Sequence, residues 1–484
     1  MTFNLVDQPW LPCTTLDGGV VELGLRDVFA RADELDDLAV SAPGQRVALI
    51  RLMVAVHQSA LRGPRTTDDL HALLDAGDGL DHVGRYLDRW RDRFDLFDSE
   101  HPFFQPAVHP DVSPTSVATL VADWSSGNNA TLVDHHRDDR PPDLTPAEAA
   151  RALTTAQAFQ LKGGRSRPFY RRAAPLAGGL VALLAGETLR DTILLNGVPY
   201  DPERGLPIPS TDDDRPCWER DADRLPHPDG TTPDGWLDLL TWLPRAVRLI
   251  PDDDGAVRRC VIHQHLALPS DIFDPHIPMR DRDGELVRVR PAEGRALWRQ
   301  ADSILLGLGG AASDRYGGLL SGVEELLDRE YVAGIDVAAQ VSSQGKIFDW
   351  SSARFPISAR VAADPQLGRW IEDALALASN VARAVGRALR DGSDVLDSHW
   401  EEMFWGHLRP PFEHLLRSAV GGGDQAALSG EWEQALRGAA HEAIDTALAV
   451  EAATPAAFRR EATVRRRLRI GLARISTIET KEVA

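Results

Sequence analysis

The stretch from residue 160 to residue 172 has the composition of an anion-binding loop, because it is basic and contains glycine. The chain has no Asp or Glu between Ala149 and Gly186, although its net charge is −20. The Gly163-Gly164 pair lets the backbone approach a partner closely and present N–H groups to an anion. A solvated basic surface loop has the same composition. The stretch therefore predicts either phosphate contact or an ordinary exposed loop.

A second polar turn lies between apolar flanks over residues 341–350. The chain has only three lysines, and the two internal ones, Lys162 and Lys346, lie in these two glycine-containing stretches. Gln and Ser side chains can read base edges, and a side chain at such a turn can wedge beside a base pair. An ordinary hairpin tip is the alternative interpretation.

Two histidine-containing segments have the donor types of a metal site. The first contains Asp134, His135 and His136, whose imidazoles and carboxylate suit a divalent ion. Adjacent side chains on one short segment seldom converge on a single ion, so a solvated loop is favoured. The pair His263 and His265 has no third ligand at a suitable local spacing and favours a structural role. We therefore expect no metal site and no cofactor.

The bulk composition is that of an ordinary soluble globular protein, and 484 residues suggest about two to four domains. Three cysteines far apart in the sequence provide neither a disulfide framework nor a zinc knuckle, which favours a cytoplasmic location. The start of the chain does not resemble a signal peptide, and no apolar stretch approaches the ~20 residues of a membrane span. The acidic balance opposes indiscriminate nucleic-acid binding. Any such contact must be local or organised by a partner.

Strand-like and helix-like segments are mixed through the first three quarters of the chain. We expect a short strand at residues 3–6, a hairpin turning at residues 17–19 and a helix over residues 45–61 with one apolar face. A further helix begins at Thr145, whose side chain forms a capping box with Glu148. This helix leads directly into the basic glycine-containing stretch.

The last part of the chain loses its strand-like segments and takes on helical periodicity. Asp364 followed by Pro365 is a helix start, and four helices with short connections predict a four-helix bundle. Its last helix is rich in arginine, which suits either a solvated face or a surface for phosphate or an acidic partner. The predicted fold class is α+β, with a mixed α/β domain over residues 1–363 and a four-helix bundle over residues 364–484.

Four segments carry a resemblance to a known family. They are FNLVDQPWLP at residues 3–12, HPFFQ at 101–105, GETLRDTILLN at 186–196 and PCWE at 216–219. The order and spacing of these four segments give the chain its resemblance to the large subunit of the type I-E CRISPR Cascade complex, a family often called CasA. The resemblance covers nearly the whole length and includes the C-terminal four-helix bundle.

The resemblance implies a non-catalytic recognition subunit that inspects the protospacer-adjacent motif of double-stranded DNA and starts strand separation. It also implies recruitment of the helicase-nuclease that destroys the target. The implied partners are guide RNA, double-stranded target DNA, the other Cascade subunits and the helicase-nuclease effector, with no membrane. Guide pairing would read the sequence while protein reads the adjacent motif, a division also known in another effector.

The resemblance also implies roles for individual residues. The family's glycine loop corresponds to Lys162, Gly163, Gly164 and Arg165, and its glutamine wedge to Gln344, with Ser342, Ser343 and Lys346 beside it. The loop that resembles the family's contact with guide RNA and a neighbouring subunit contains Asn128, Asn129, Leu132 and Asp134. A lysine-type motif contact has no secure match; Gln264 and Arg259 are the nearest residues. The cysteine-rich zinc site of some relatives has no counterpart here.

Two other functions remain open from the sequence. One is a metal-dependent nuclease that uses Asp134, His135 and His136. The other is a purely structural scaffold that binds only protein partners, for which Gln344 and Lys162 would be replaceable without effect on DNA binding.

Overall fold

The computed structural model describes residues 1–76, 80–121, 142–162, 172–227, 229–308, 319–320, 327, 332–343, 346–357, 364–391, 394–395, 399–449 and 454–475. The chain divides into two compact units. The first contains Met1–Leu297 and Gly307–Arg354, and the second contains Trp298–Leu306 and Phe355–Ala484. A short piece of the middle of the sequence therefore belongs to the C-terminal unit.

Within the described residues, the helices that precede the C-terminal ones are α1 (Leu25–Ala30), α2 (Pro43–Leu61), α3 (Thr67–Asp75), α4 (Asp81–Trp90), α5 (Pro146–Phe159), α6 (Leu189–Leu195), α7 (Trp236–Leu240) and α8 (Ala301–Leu308). The strands of the same part are β1 (Leu11–Thr15), β2 (Val20–Leu23), β3 (Leu35–Leu38), β4 (Thr115–Ser116), β5 (Leu180–Gly186), β6 (Arg245–Pro251), β7 (Val257–Gln264), β8 (Met279–Arg282), β9 (Glu285–Arg288), β10 (Val332–Ser343) and β11 (Lys346–Phe355). Short 3-10 helices lie at Ala32–Glu34, Arg91–Phe94, Val117–Leu120, Cys217–Glu219 and Leu297–Gln300.

The strands of the first unit form several small sheets rather than one large one. Their orders are β2-β1-β3, β11-β10-β5, β4-β7-β6 and β8-β9. The predicted hairpin is confirmed as β1 and β2, with Gly18 at a φ of +86° in the turn. The predicted strand at residues 3–6 is wrong: Asn4 makes only an isolated bridge to Asp95, and its side-chain oxygen accepts from the Val6 N–H at 3.1 Å. That local hydrogen bond turns the chain, as Asn side chains commonly do.

Helix α2 passes through the centre of the first unit, where it contacts α5, α6, α7 and β10. The helix itself is confirmed, but the single apolar face expected for it is wrong. Every residue from Val47 to Ser59 is buried, including Arg51 and His57. A helix that is covered on all sides has no solvent face to keep polar. The buried polar side chains of α2 must therefore find partners inside the protein.

Helix α5 begins with the predicted capping box. The Thr145 hydroxyl accepts from the Glu148 N–H at 3.2 Å, and the Glu148 carboxylate accepts from the Thr145 N–H at 2.8 Å. These bonds satisfy two backbone donors that the first turn would otherwise leave unpaired. The helix ends at Phe159, three residues before Lys162. It therefore delivers the chain to the start of the glycine-containing stretch.

The aromatic segment at residues 101–105 is a packing anchor, as its composition indicates. Phe103 and Phe104 are both buried, and their rings stack with a centroid distance of 4.2 Å. Phe94 and Trp218 complete this aromatic cluster, with Phe103 and Phe94 at 5.2 Å. The cluster brings together two of the segments that carry the family resemblance.

The second unit is helical, with α9 (Pro365–Leu389), α10 (His399–Val420), α11 (Gln425–Leu448) and α12 (Pro455–Leu472), and a two-stranded ribbon of β12 (Arg390–Asp391) and β13 (Asp394–Val395). The Asp364 carboxylate accepts from the Gln366 N–H at 2.8 Å, which confirms the predicted helix start. Trp298 packs on Phe412 with ring centroids 5.1 Å apart. The predicted fold class, mixed helix and strand followed by a helical bundle, is confirmed. Among the helices that the structure describes, none has both the length and the apolar character needed to cross a bilayer.

Candidate nucleic-acid interface

The residues that the sequence singles out for nucleic-acid contact lie at or beyond the ends of described segments. Lys162 is exposed and is the last described residue of its segment, and Ser342 is half-buried near the end of β10. Ser343 is the last residue of β10, and Lys346 is the first residue of β11. Several predicted residues lie outside the described residues: Gly163, Gly164, Arg165, Gln344, the guide-loop residues Asn128, Asn129, Leu132 and Asp134, and His135 and His136 of the alternative metal site. The structure therefore defines the stems of two loops.

Arg245 is the centre of the first stem, which we call the glycine-loop stem: residues 160–162 and 172–174. The Arg245 side chain is completely buried. One terminal nitrogen donates to the Leu161 carbonyl at 3.1 Å and to the Arg172 carbonyl at 2.7 Å. Its Nε–H donates to the Gln160 side-chain oxygen at 2.7 Å. A single guanidinium therefore holds both ends of the segment that contains Gly163 and Gly164.

Gln264, at the end of β7, reinforces the same stem. Its side-chain oxygen accepts from the Arg172 N–H at 2.7 Å and from Arg245 at 3.1 Å. Its side-chain nitrogen donates to the Pro244 and Leu266 carbonyls at 3.1 and 2.9 Å. The side chain is buried and saturated with hydrogen bonds, so it is unsuited to contact a DNA motif. Gln264 as the missing motif contact is therefore a wrong prediction; it is part of the support of the loop.

Arg259, the other residue named for that role, differs from Gln264 in its exposure. It is 55% exposed and lies 3.7 Å from a carboxylate oxygen of Asp252. It precedes Gln264 by five residues on the same strand, a distance of about 17 Å along an extended chain. Arg259 is therefore accessible, and its role as the motif contact stays a prediction.

The second stem is the pair of strands β10 and β11, which are neighbours in one sheet and are joined through residues 344–345. Gln340 of β10 is completely buried. Its side-chain nitrogen donates to the Phe159 carbonyl at 3.2 Å, and its oxygen accepts from the Gly178 N–H at 2.7 Å. Phe159 ends the helix that leads into the glycine-loop stem. Gln340 therefore ties the hairpin stem to the glycine-loop stem.

Aromatic packing joins the two stems a second time. Trp350 of β11 lies edge-on to Phe159 with a ring-centroid distance of 5.1 Å. Its indole ring also covers Gly44 near the start of α2, where an added Cβ would lie 2.2 Å from the ring. Only glycine fits under the ring at that distance. The hairpin stem is thus packed against both α2 and α5.

Basic side chains lie near these stems. Lys162 and Arg172 are exposed at the two ends of the glycine-loop stem, and Arg290 is exposed on the segment that follows β9. Arg288 donates to the Pro175 carbonyl at 2.7 Å, and burial lowers the pKa of its guanidinium from the usual value. Exposed arginine and lysine side chains attract phosphate groups, and fixed backbone N–H groups add to that attraction. The surface around the stems is suited to an anionic partner even though the chain as a whole is acidic.

His263 and His265 form the structural pair that their spacing predicts. The Nε2 atom of His263 accepts from the His109 N–H at 2.9 Å, and its Nδ1 lies 2.8 Å from the Gln264 carbonyl oxygen. Burial lowers the pKa of His265 to about 4. In the part of the chain that the structure describes, no group of three or more His, Cys, Asp or Glu side chains could hold a metal ion.

Sequence reasoning missed Arg245 and Gln340 completely. Each is a single polar residue inside an apolar segment, Leu243 to Val247 and Val337 to Val341 respectively. Such a residue indicates a buried polar group that must be hydrogen-bonded, because unpaired burial is costly. That signal could have identified both residues as structural, although it could not have named their partners.

Comparisons with known proteins agree on one family. The family model of CRISPR-associated protein Cse1 matches residues 4–443. CRISPR-associated protein CasA/Cse1 of Thermus thermophilus is 34% identical over 471 residues, which cover 91% of each chain. A crystal structure of Thermus thermophilus CasA has a TM-score of 0.80 at 28% identity and covers 98% of this chain and 100% of its own. Cse1 from Acidimicrobium ferrooxidans has a TM-score of 0.78 at 28% identity, with 98% of both chains covered.

Proposed function

Because this chain belongs to the CRISPR-associated Cse1/CasA family, the large subunits of type I-E Cascade complexes, we propose that it reads the protospacer-adjacent motif in double-stranded DNA. In this function it starts strand separation beside that motif and then recruits a helicase-nuclease. It acts in the cytoplasm with guide RNA and the other Cascade subunits, and it cleaves no nucleic acid itself.

The observation that carries the proposal is the shared support of the two loops. Arg245 and Gln264 hold both ends of the glycine loop, and Gln340 hydrogen-bonds to the chain on either side of it, at Phe159 and Gly178. Stems that are fixed relative to each other can present two contacts to one duplex at a constant spacing. Less conformational entropy is then lost on binding. A structural scaffold would not require the two loops to be tied together.

The two loops have different tasks in the proposal. Lys162, Gly163, Gly164 and Arg165 supply positive charge and close backbone approach, which suit the phosphates and the narrow minor groove. Gln344, with Ser342, Ser343 and Lys346 beside it, acts as the wedge at the first target base pair. Unstacking a base step costs on the order of a few kcal/mol, which such a side chain can partly offset by occupying the opened space. Asn128, Asn129, Leu132 and Asp134 contact the guide RNA and a neighbouring subunit.

The test is target-duplex binding by the guide-loaded complex that contains this subunit. Wild type, Gln344→Ala and Lys162→Ala are compared on duplexes with candidate and scrambled adjacent motifs. Binding is measured by electrophoretic shift, and opening is measured by 2-aminopurine fluorescence at the first target pair. Gln366→Ala and Arg204→Ala, both at exposed positions, are the matched controls.

We expect wild type and both controls to discriminate between motifs. Gln344→Ala should bind the duplex but open it less, while Lys162→Ala should bind more weakly and lose part of its salt dependence. If neither variant differs from wild type and no motif preference appears, the motif-reading function is wrong and a scaffold role replaces it. Metal-dependent cleavage that is lost on changing Asp134 or His136 would instead support the nuclease alternative.

A further inference from the structure

A polar cavity of about 200 Å³ lies beside the aromatic cluster of Phe103, Phe104 and Trp218. Its walls come from residues 100–107 and 217–223, together with side chains from β6 and from the 3-10 helix at Arg91–Phe94. Two of the four segments that carry the family resemblance thus meet here, and neither belongs to the loops of the proposed DNA interface. Their role in packing accounts for the aromatic rings but not for the charged residues around the cavity.

The cavity is separate from the glycine-loop stem. Arg248, which lines it, is three residues along β6 from Arg245, which holds the stem. Because successive side chains of a strand point to opposite faces, residues three apart lie on different faces. A ligand in the cavity would therefore lie on the other face of β6 from the guanidinium that holds the glycine-loop stem.

Three guanidinium groups line the cavity, and they differ in how they are already engaged. Arg220 is bound by Asp234 at 2.9 Å and by Asp238 at 3.3 Å. Arg93 donates to the Arg220 carbonyl at 3.2 Å and pairs at 3.1 Å with Asp221, whose side chain is 98% exposed. An ion pair with so exposed a carboxylate is worth little, so Arg93 can exchange it for another anion.

Arg248 is the lining arginine that can most readily bind an added anion. It is half-buried on β6 and lines the cavity. Among the described residues, no carboxylate lies within ion-pair distance of it, in contrast to Arg93 and Arg220. A partly desolvated arginine that lacks a counter-charge binds a carboxylate or phosphate strongly, through two parallel N–H donors.

We propose that this cavity is a binding site for one small oxyanion group, a carboxylate or a phosphate, with Arg248 as its principal ligand and Arg93 beside it. The volume supports a small occupant. At about 200 Å³ it is below the range of ~300–1,000 Å³ that drug-sized ligands fill. The exposed carboxylates of Glu100, Asp221 and Asp223 at the cavity oppose a ligand of high negative charge.

The test uses the purified full-length chain and two probes, inorganic phosphate and acetate, at constant ionic strength. Binding is followed by calorimetry, and for phosphate also by ³¹P line width. We expect saturable binding of at least one probe, at least tenfold weaker in Arg248→Gln and unchanged in Arg259→Gln, an arginine on the neighbouring strand that does not line the cavity. Comparing the probes shows whether the site prefers phosphate or carboxylate.

Equal affinity in wild type and Arg248→Gln would overturn the proposal, and so would the absence of saturable binding of either probe. If Arg248→Gln fails to fold, Arg93→Gln serves as the second variant, and its expected effect is a weaker binding of the same probe. DNA binding by the guide-loaded complex should be unchanged in Arg248→Gln. The failure of this site is therefore distinguishable from a failure of the proposed motif-reading function.

Discussion

The Gln340 side-chain oxygen accepts the backbone N–H of Gly178 at 2.7 Å, while the amide nitrogen of the same side chain donates to the Phe159 carbonyl at 3.2 Å. One buried glutamine thus connects β10 to the chain both before and after the glycine loop. Amide side chains suit this task because they carry a donor and an acceptor on one rigid group. The stem of the hairpin and the stem of the glycine loop are held by the same bonds.

The first prediction concerns this connection. Gln340→Leu keeps the approximate volume but leaves the Gly178 N–H and the Phe159 carbonyl without their partner. Each unpaired buried group costs about 1–3 kcal/mol, so the free energy of unfolding should fall by about 2–4 kcal/mol. Urea unfolding of the isolated chain measures that loss, and opening of the target duplex by the assembled complex should decrease with it.

The control for Gln340→Leu is Gln366→Leu, an exposed glutamine in the first turn of α9. It should change the free energy of unfolding by no more than about 0.5 kcal/mol. If Gln340→Leu is as stable as this control, the hydrogen bonds of Gln340 do not hold the two stems together.

The second prediction concerns Gly178, which has a φ of +63°. A Cβ added there would lie 3.1 Å from the Ser342 hydroxyl, which is close but not prohibitive. Because the left-handed region costs an L-residue about 1–2 kcal/mol, Gly178→Ala should lower the free energy of unfolding by that amount. The added methyl group would also press against the Ser342 hydroxyl. Because Ser342 lies two residues before Gln344, duplex opening should decrease more than duplex binding.

Gly438→Ala is the matched control for this prediction. Gly438 lies inside α11, and nothing lies within 4 Å of the added Cβ. Replacing glycine inside a helix by alanine should raise stability by about 0.5–1 kcal/mol. A Gly178→Ala variant that opens the duplex as well as wild type would show that Ser342 and the wedge do not depend on this backbone position.

Local signals in the sequence predicted the elements that local chemistry determines. The capping box of Thr145 and Glu148, the turn at Gly18 and the Asp364 helix start all depend on residues within a few positions of each other. The hydrogen bonds that hold the glycine-loop stem do not depend on such neighbouring residues. Arg245 reaches Arg172 and Gln160, which are 73 and 85 positions away in the sequence, and no periodicity encodes such a pairing. The sequence therefore singled out both segments, but it could not show what holds their stems.

The same limit explains the wrong interpretation of Gln264. In the sequence, Gln264 is one of the two residues nearest to the family's lysine-type motif contact. In the structure, its end-of-strand position places it under the Arg172 backbone and beside Arg245. Burial of this kind depends on which segments cover a strand end, and those segments come from distant parts of the chain.

The third prediction tests the glycine-loop stem itself. Arg245→Gln removes donors from the carbonyls of Leu161 and Arg172 and leaves a space that the shorter side chain cannot fill. Hydrogen bonds from charged groups are worth about 1.5–3 kcal/mol each, so a loss of about 3 kcal/mol or more is expected. Thermal unfolding measures the loss, and the affinity of the complex for target DNA should fall, since the loop ends are no longer fixed.

Arg259→Gln provides the comparison for Arg245→Gln, since Arg259 is mostly exposed and its partner is 3.7 Å away. It should unfold within about 0.5 kcal/mol of wild type. A destabilised Arg245→Gln protein that still binds target DNA with wild-type affinity would separate stability from function and contradict the role of the stem in DNA contact.

The last prediction concerns the pH dependence of stability. Burial lowers the pKa of His265 to about 4, whereas an unfolded histidine titrates near 6.5. Between these values the unfolded chain binds a proton that the folded chain excludes, so stability is lost as the pH falls from about 6.5 toward 4. Because of His265, the free energy of unfolding should be about 2–3 kcal/mol lower at pH 4.5 than at pH 7. The buried His276, whose pKa is also lowered by burial, adds to the loss in the same direction.

Urea unfolding at pH 7 and pH 4.5 measures this loss of unfolding free energy. The loss should be smaller in His265→Gln than in wild type, because only the contribution of His276 and other groups remains. His227→Gln, at an exposed histidine, should keep the full wild-type loss. An unchanged acid-induced loss in His265→Gln would mean that His265 does not exclude a proton in the folded protein.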